Sequence, residues 1–525
     1  MMGVKNLWIT LVCATVFFLL GCAFIGKPGI EQDEAMFAAP LFRGWCFYAL
    51  PLGAHHHLPL MHMSYVGALK TWLYAPMFWL WAPSAAAIRL PAVLLGSATI
   101  VVFWFLLGST HSRRAAIAGC VLLASDTIFL LTTTFDWGPV ALQHLLASGA
   151  MLLAVLWYQR GESRFIAASA FCCGLAFWDK AVFAWMLAGL CAGSLIFIRG
   201  IWRRLSPGSA AIALAAFMVG ALPLVVFNIA SEPRFSTARS NSHLAPSPLL
   251  SGFRALRATW NGEGSFNITQ ETAPRPNAPE GVIERASFAL HSLAGDRRTN
   301  YVEPALIAAL LLLPLLWRTP ARNPMLFSII AASVAWTFML RSGGGVSAHH
   351  VILLWPLPAF FLAVAFAEAS LHVRFGTLVL AGVLCFLAAT SLLVTNQYLY
   401  QFVRFGNSDA WTDAVYPLAA SLAKTQASQA VLPDWGLSDS LTVLTRDHPT
   451  AHPIAFPFMK ADLEILADRD AIWVERTPGH EIYKGANDAV LEAAKAAGYS
   501  PVILDTYYDR NGRAMFQTLR FRQVR

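Results

Sequence analysis

Charge is what this 525-residue chain has least of: 13% of its residues are charged and 57% are hydrophobic. Soluble globular proteins carry roughly a quarter charged residues, so that class is excluded and a lipid bilayer becomes the natural solvent. Polar cysteine is scarce as well. Cys13, Cys22, Cys120, Cys172, Cys173, Cys191 and Cys385 fall in apolar stretches, and Cys46 alone lies in a polar loop. Neither a disulfide framework nor a zinc spacing follows. No short-period repeat marks a solenoid. The net charge of +8 is dispersed over short loops with no concentrated basic patch, which argues against a nucleic-acid partner.

What the chain does have is apolar runs. Backbone groups in lipid must be satisfied within a helix, and a span takes roughly 20 mostly apolar residues. Segments near 6–26, 90–109, 115–133, 139–158, 165–178, 181–198, 209–230, 303–317, 325–340, 350–367 and 375–398 fit this pattern. The first follows Lys5 and lacks a convincing small-residue cleavage site before Pro28, so it reads as a retained anchor and not a signal peptide. Placing Lys5 inside puts Arg113, Arg114, Arg160, Arg164, Arg199, Arg203, Arg204, Arg318, Arg322 and Arg374 in cytoplasmic loops, as the positive-inside rule requires.

Segments 27–89 and 231–302 then face outside. The first interleaves Pro, Trp and Tyr with apolar stretches such as Tyr65 to Trp81, which predicts amphipathic helices along the interface. The second is rich in Pro, Ser, Asn and Arg and reads as a mobile loop. From about Gln401 the composition becomes that of a soluble domain. Strands are expected at 430–432, 471–475 and 501–507, and a helix at 488–497 capped by Asn487 and ended by Gly498. A hairpin turn is expected at Asp509 to Arg513, where Asn-Gly supplies positive φ. The expected fold is an α-helical polytopic membrane protein with about eleven transmembrane helices, outer-face interfacial helices and a small C-terminal α/β domain. Its parts are a membrane domain over 1–400 and a soluble domain over 401–525 on the extracytoplasmic (periplasmic) side of the cytoplasmic membrane.

Ionisable groups beside or within spans are costly and call for a role. Here they gather on the outer side. Asp33 and Glu34 open the first outer loop, Asp136 begins the fourth span in Phe135-Asp-Trp-Gly-Pro139, and Lys180 interrupts an apolar run in Phe177-Trp-Asp-Lys-Ala181. Arg341, His349 and His350 precede the tenth. Carboxylates so placed suit deprotonation of an acceptor hydroxyl, and cations suit a phosphate leaving group. That is glycosyl or phosphoryl transfer chemistry. Each residue also has a plain structural account: Asp-Glu at a helix start complements the dipole, Asp136 is a possible N-cap, and Lys180 can snorkel or pair with Asp179. The shared face argues for a site. His55-His-His57 with His62 raises a metal, but adjacent histidines without a carboxylate at defined spacing give no clear ligand set, and surface polar residues are the plainer account. No metal and no cofactor is assigned.

In order, spacing and side of the membrane, these pieces resemble the polytopic glycosyltransferases of the GT-C class that include the protein O-mannosyltransferases and the lipid A aminoarabinose transferases (glycosyltransferase family 39 and its relatives). The likeness is best over residues 30–190. It is carried by Asp33-Glu-Ala35, Leu58-Pro-Leu60 with Tyr65-Val-Gly-Ala-Leu-Lys70, Ile88-Arg-Leu-Pro91, Leu122-Leu-Ala-Ser-Asp126, Phe135-Asp-Trp-Gly-Pro139 and Gly174-Leu-Ala-Phe-Trp-Asp-Lys180. Farther on, His349-His-Val-Ile-Leu-Leu-Trp-Pro356 looks like the family's histidine or tyrosine ahead of an apolar run and proline.

The resemblance implies an inverting transfer from a polyprenyl-phosphate-linked sugar to an acceptor hydroxyl on a protein, lipid or glycan outside the cytoplasmic membrane. It implies Asp33 as general base with Glu34 beside it, Asp136 as the carboxylate that orients the acceptor or the essential aspartate, and Lys180 as the contact to the lipid phosphate. His349 and His350 carry over to the donor site, and Tyr65 and Arg341 are counted with the substrate-binding residues. Many relatives have Lys-Pro-Pro in the first loop where this chain has His57-Leu-Pro59, so Lys70 or a histidine is the candidate substitute. The rival classes are a transporter or flippase and a non-catalytic scaffold. Against the transporter, the charges cluster at the outer ends of spans and the span spacing shows no inverted repeat.

Overall fold

The structure is a computed structural model that describes residues 7–42, 46–53, 57–232, 234, 236–240, 245–454 and 460–524. Its membrane part begins with helices α1 (Leu7–Phe24) and α2 (Gln32–Ala35), followed by a three-stranded antiparallel sheet of β1 (Tyr48–Pro51), β2 (His57–Met63) and β3 (Val66–Gly67). After the sheet come α3 (Leu69–Leu80), α4 (Ala85–Thr110), α5 (Arg113–Ser125), α6 (Thr127–Thr134), α7 (Val140–Arg160), α8 (Ser163–Asp179) and α9 (Phe183–Ser194). Ser84 and Ser112 cap α4 and α5 by accepting from the Ala87 and Ala115 N–H groups, which satisfies donors that the first turn leaves free.

Among the described residues, six helices are long and apolar enough to cross a membrane, or nine if each of three bent pairs is one span. The chain is a multi-pass membrane protein. Of the eleven predicted segments, those at 165–178 and 303–317 are shorter helices of 17 and 11 residues. The bends have visible causes. Asp126 takes the Phe129 N–H at 2.7 Å and starts a new helix at 58° to α5. Pro223 and Pro356, which lack an N–H, open the second halves of the pairs Pro207–Gly220 with Leu222–Ala230 and Ala348–Leu354 with Pro356–Ala369, bent by 66° and 41°. Helix α8 lies directly on the helix Pro207–Gly220: a Cβ added at Gly174 would sit 2.2 Å from the Phe217 carbonyl oxygen. Small residues allow that approach.

Segment 231–302 is not the structureless loop its composition predicts. It carries helices Leu249–Asn261 and Val282–Ala294, whose Leu256, Trp260 and Phe288 pack onto the bundle core while Leu249, Leu250, Val282 and Leu293 stay exposed. The apolar residues recur at helical spacing between the polar ones, and that periodicity outweighs the loop-like composition.

The C-terminal domain is a five-stranded mixed sheet, order β5-β4-β6-β8-β7, from β4 (Gln429–Leu432), β5 (Thr450–Pro453), β6 (Ile472–Arg476), β7 (Tyr499–Tyr508) and β8 (Ala514–Gln523). Alternation along the strands feeds two cores. Ala430, Leu432, Ile472 and Val474 meet Val415, Leu418 and Leu441, while Val431 and Trp473 meet Val490 and Ala494 on the other face. The predicted N-cap at Asn487 is corrected: Gly485 precedes the helix Ala486–Ala496, and the Asn487 side chain donates to the Arg476 carbonyl at 2.5 Å. The domain sits on the segment that follows α1, with the Gly29 N–H donating to the Trp411 carbonyl at 2.9 Å and Ser440 Oγ to the Ile30 carbonyl at 3.2 Å.

Candidate active site

The short helix α2 is built to hold its own turn. Glu31 accepts from the Asp33 N–H at 2.7 Å, and Glu34 reaches back to the Glu31 N–H at 2.9 Å, a reciprocal capping box. Glu34 also receives Arg89 on both oxygens, at 2.9 and 2.5 Å. The other guanidinium N–H groups donate to the carbonyls of Ile25, Pro28 and Gly29 at 2.8, 2.9 and 3.0 Å. Both side chains are fully buried. Glu34, expected beside the base, is thus wholly engaged in fixing the turn.

Asp33 is half-buried and differently placed. Its carboxylate faces Lys180, the Trp137 side chain and Lys70. Burial pushes its pKa above the ordinary carboxylate range, and Lys180, Trp137 and Lys70 restrain the rise.

Asp136 stands in the turn between α6 and α7 at a left-handed φ of 49°, a conformation Asp tolerates better than most side chains. Lys70 Nζ lies 2.7 Å from its Oδ1, and the Tyr74 hydroxyl donates to its Oδ2. Lys70 and Tyr74 reach one carboxylate because they stand four residues apart on α3. Lys70 Nζ also donates to the Gly138 carbonyl at 3.2 Å and sits 3.7 Å from the Phe37 ring centroid. The pair is buried on all sides, so Lys70 serves Asp136.

Lys180 follows α8 and is held by the sheet of β1, β2 and β3. It bridges Val66 in antiparallel register, and the Ala181 N–H donates to the Tyr65 carbonyl at 2.8 Å. A Cβ on Gly67 would come within 2.1 Å of the Trp178 carbonyl oxygen, so glycine lets this strand close on the end of α8. Lys180 Nζ lies 3.3 Å from His350 Nε2. Burial pulls Lys180 down to about 8 against Asp33 and Asp179, which favour the ammonium. The His349 ring lies 4.6 Å from that of Trp137 and 4.3 Å from that of His350, and Ser347 Oγ is 2.7 Å from His349 Nδ1.

Asp33, Asp136, Lys70, Lys180, His349 and His350 therefore share one locus at the C-terminal-domain end of the bundle. Tyr65 borders it, its half-buried phenol raised by burial and by Asp33. The others lie apart: His57 is exposed at the start of β2, and Arg341 is exposed at the end of the helix Arg322–Arg341. His55 and His56 lie outside the described residues, and among the described residues no three His, Cys, Asp or Glu side chains are arranged to hold a metal.

Sequence reasoning does not single out Arg89, Tyr74 or Trp137. Arg89 had a signal, an ionisable residue at the head of an apolar run, and Tyr74 had its spacing from Lys70. Trp137 had none, since only the fold aims its ring at Asp33.

No protein-family model and no curated protein matches the chain. Solved structures do. The lipid A aminoarabinose transferase ArnT from Cupriavidus metallidurans, solved bound to undecaprenyl phosphate, is similar with a TM-score of 0.58 and 14% identity over 97% of both chains. In its apo state the TM-score is 0.61, with 13% identity over 97% of both. The chain carries the GT-C fold. A second structure with the GT-C fold, the Archaeoglobus fulgidus oligosaccharyltransferase in complex with zinc and sulfate, matches with a TM-score of 0.52 and 12% identity over 97% of this chain and 72% of that one.

Proposed function

We propose that the protein is a membrane glycosyltransferase that moves a sugar from a polyprenyl-phosphate donor to an acceptor hydroxyl at the outer face of the cytoplasmic membrane. One observation carries the reading: a carboxylate beside Trp137 and a lysine ammonium face each other at the end of the bundle, on separate rigid supports. Asp33 takes the proton of the acceptor hydroxyl. The freed oxygen electron pair attacks the anomeric carbon from the face opposite the phosphate and forms the new glycosidic bond. The carbon–oxygen bond to phosphate breaks, its electron pair leaves on the phosphate, and the configuration inverts. Lys180 meets that growing negative charge, with His350 at 3.3 Å beside it.

The remaining groups hold this geometry. Glu34 and Arg89 fix the turn that bears Asp33, and the Lys70–Asp136–Tyr74 cluster fixes the turn that bears Trp137. Support for the donor class comes from the fold: ArnT with the same architecture was solved with undecaprenyl phosphate. A transporter fits less well, because the ionisable cluster lies at one end of the bundle, whereas transport sites lie near the midplane.

Membranes containing wild type or Asp33→Asn, given a labelled polyprenyl-phosphate sugar, test the reading. Wild type transfers label and the variant, at equal expression, does not. Transfer retained by Asp33→Asn would remove Asp33 as the base, and no transfer by wild type from any such donor would favour the transporter.

A further inference from the structure

The C-terminal part of the chain enters the bundle through one side chain. Trp411, at the end of the short 3-10 turn Asp409–Trp411, is 3% exposed and packs in the core of the bundle. Ala414 and Val415, just beyond it, already pack in the core of the C-terminal sheet. The Trp411 ring lies 5.4 Å from that of Trp137, edge to face, and 5.5 Å from that of Phe135. Its backbone serves a different segment, because the Trp411 carbonyl accepts the Gly29 N–H at 2.9 Å on the run into Asp33. The next carbonyl comes closer still. A Cβ on Gly29 would sit 2.1 Å from the Thr412 oxygen, so glycine lets the two backbones meet.

These contacts close a ring. Phe135 also receives the Arg89 guanidinium, 5.3 Å from its centroid, and Arg89 in turn holds the Gly29 carbonyl at 3.0 Å and both Glu34 oxygens. Gly29 is thus held at its N–H by Trp411 and at its carbonyl by Arg89. We propose that Trp411 is a positioning residue of the Asp33 site, a wedge that fixes the turn bearing Asp33 against the turn bearing Asp136 and Trp137. The inference rests on the reading of Asp33 as the base. Core packing alone asks only for apolar bulk at this place. The wedge asks for a flat ring, since Trp137 meets it at 74° and Phe135 at 51°, a directional preference that an aliphatic side chain lacks. Lys180 is supported elsewhere, by Val66 and Tyr65, so a loosened wedge displaces the base and spares the donor contact.

Hydrogen exchange of the full chain, read by mass spectrometry, tests the wedge without any transfer. Trp411→Leu keeps apolar bulk and removes the flat ring, and Trp411→Phe restores a ring. The reporters are the Ala35 and Met36 amides, which donate to the Glu31 and Gln32 carbonyls, and the Trp137 and Gln143 amides, which donate to Thr132 and Pro139. In Trp411→Leu both sets should exchange about ten-fold faster than in wild type, while β7 and β8 keep their protection. Trp411→Phe should stay within about two-fold of wild type. Unchanged exchange in both turns, equal loss throughout the chain, or a Phe variant as loose as the Leu variant overturns the proposal. Should Trp411→Leu not fold, Gly29→Ala carries the test: its methyl group meets the Thr412 carbonyl, and the Ala35 and Met36 amides should exchange faster. Wild-type protection there overturns the proposal as well.

Transfer adds a functional readout. Trp411→Leu should lower kcat about ten-fold or more with the donor KM unchanged, and Trp411→Phe should recover most of the loss. An unchanged kcat in Trp411→Leu overturns the proposal. Local loosening of both turns in a protein whose wild type transfers no sugar would support the wedge and sink the transferase reading, whereas wild-type transfer with unmoved exchange in the variants sinks the wedge alone.

Discussion

Glu34 and Arg89 are joined by two hydrogen bonds, at 2.9 and 2.5 Å, with neither side chain exposed. Removing one partner strands a buried charge. Arg89→Met should therefore lower stability by about 3–5 kcal/mol, whereas Arg89→Met with Glu34→Gln should recover part of that loss. Thermal unfolding in detergent checks both. An unchanged melting temperature in Arg89→Met would show that the pair does not hold the turn.

The pH dependence of transfer follows from the two opposed groups. As the proposed base Asp33 must be ionised, and its pKa is raised above that of a free aspartate, so activity should rise with pH through a limb displaced upward from that of a free aspartate. As the proposed phosphate contact Lys180 must be an ammonium, and burial lowers it to about 8, so activity should fall as pH rises through that value. A bell-shaped kcat/KM profile results. In Lys180→Ala the alkaline limb should vanish and the donor KM should rise by about ten-fold or more, the order expected for losing a charge-assisted hydrogen bond. Unchanged donor dependence would remove Lys180 from the site.

Asp136 is held by Lys70 and Tyr74 with no exposure to water. Tyr74→Phe removes one neutral donor to a buried carboxylate and should cost about 1–3 kcal/mol. Lys70→Met leaves the charge unpaired and should cost more, about 3–5 kcal/mol. Adding Asp136→Asn to Lys70→Met should relieve part of the deficit, which a double-mutant cycle on unfolding measures. If the three losses simply add, the residues are not one unit.

These roles mark how much the sequence discloses. The apolar spans, the β-sheet region at the C-terminal end and the ionisable character of Asp33, Asp136 and Lys180 are legible, because apolar length and isolated ionisable residues in apolar surroundings are strong local signals. The division of labour among them is not. Asp33 and Glu34 are adjacent and chemically alike, and only the arrival of Arg89, 55 positions from Glu34, makes one structural and leaves the other facing Lys180. Lys70 is legible as a cation near the site, while its partner depends on the left-handed turn at Asp136. The three-stranded sheet β1-β2-β3 escapes notice because its strands are short and its paired positions include Pro51 and Pro59, which read as loop.

That sheet yields a further prediction. Gly67 lets β3 close on Trp178, and a methyl group would meet the Trp178 carbonyl oxygen at 2.1 Å. Gly67→Ala should push the Val66–Lys180 bridge apart, lowering the melting temperature and weakening donor binding together. Wild-type donor binding in a correctly folded Gly67→Ala protein would mean that the bridge does not place the lysine.

The central claim is that Asp33 and Lys180 face the two ends of one bond, and a cryo-electron-microscopy structure of the protein with a polyprenyl phosphate tests it most directly. The account predicts the phosphate within about 3 Å of Lys180 Nζ, with the Asp33 carboxylate on the opposite side of the position that the sugar would take. A phosphate bound elsewhere in the bundle, with Lys180 and Asp33 in pockets that do not communicate, would contradict it.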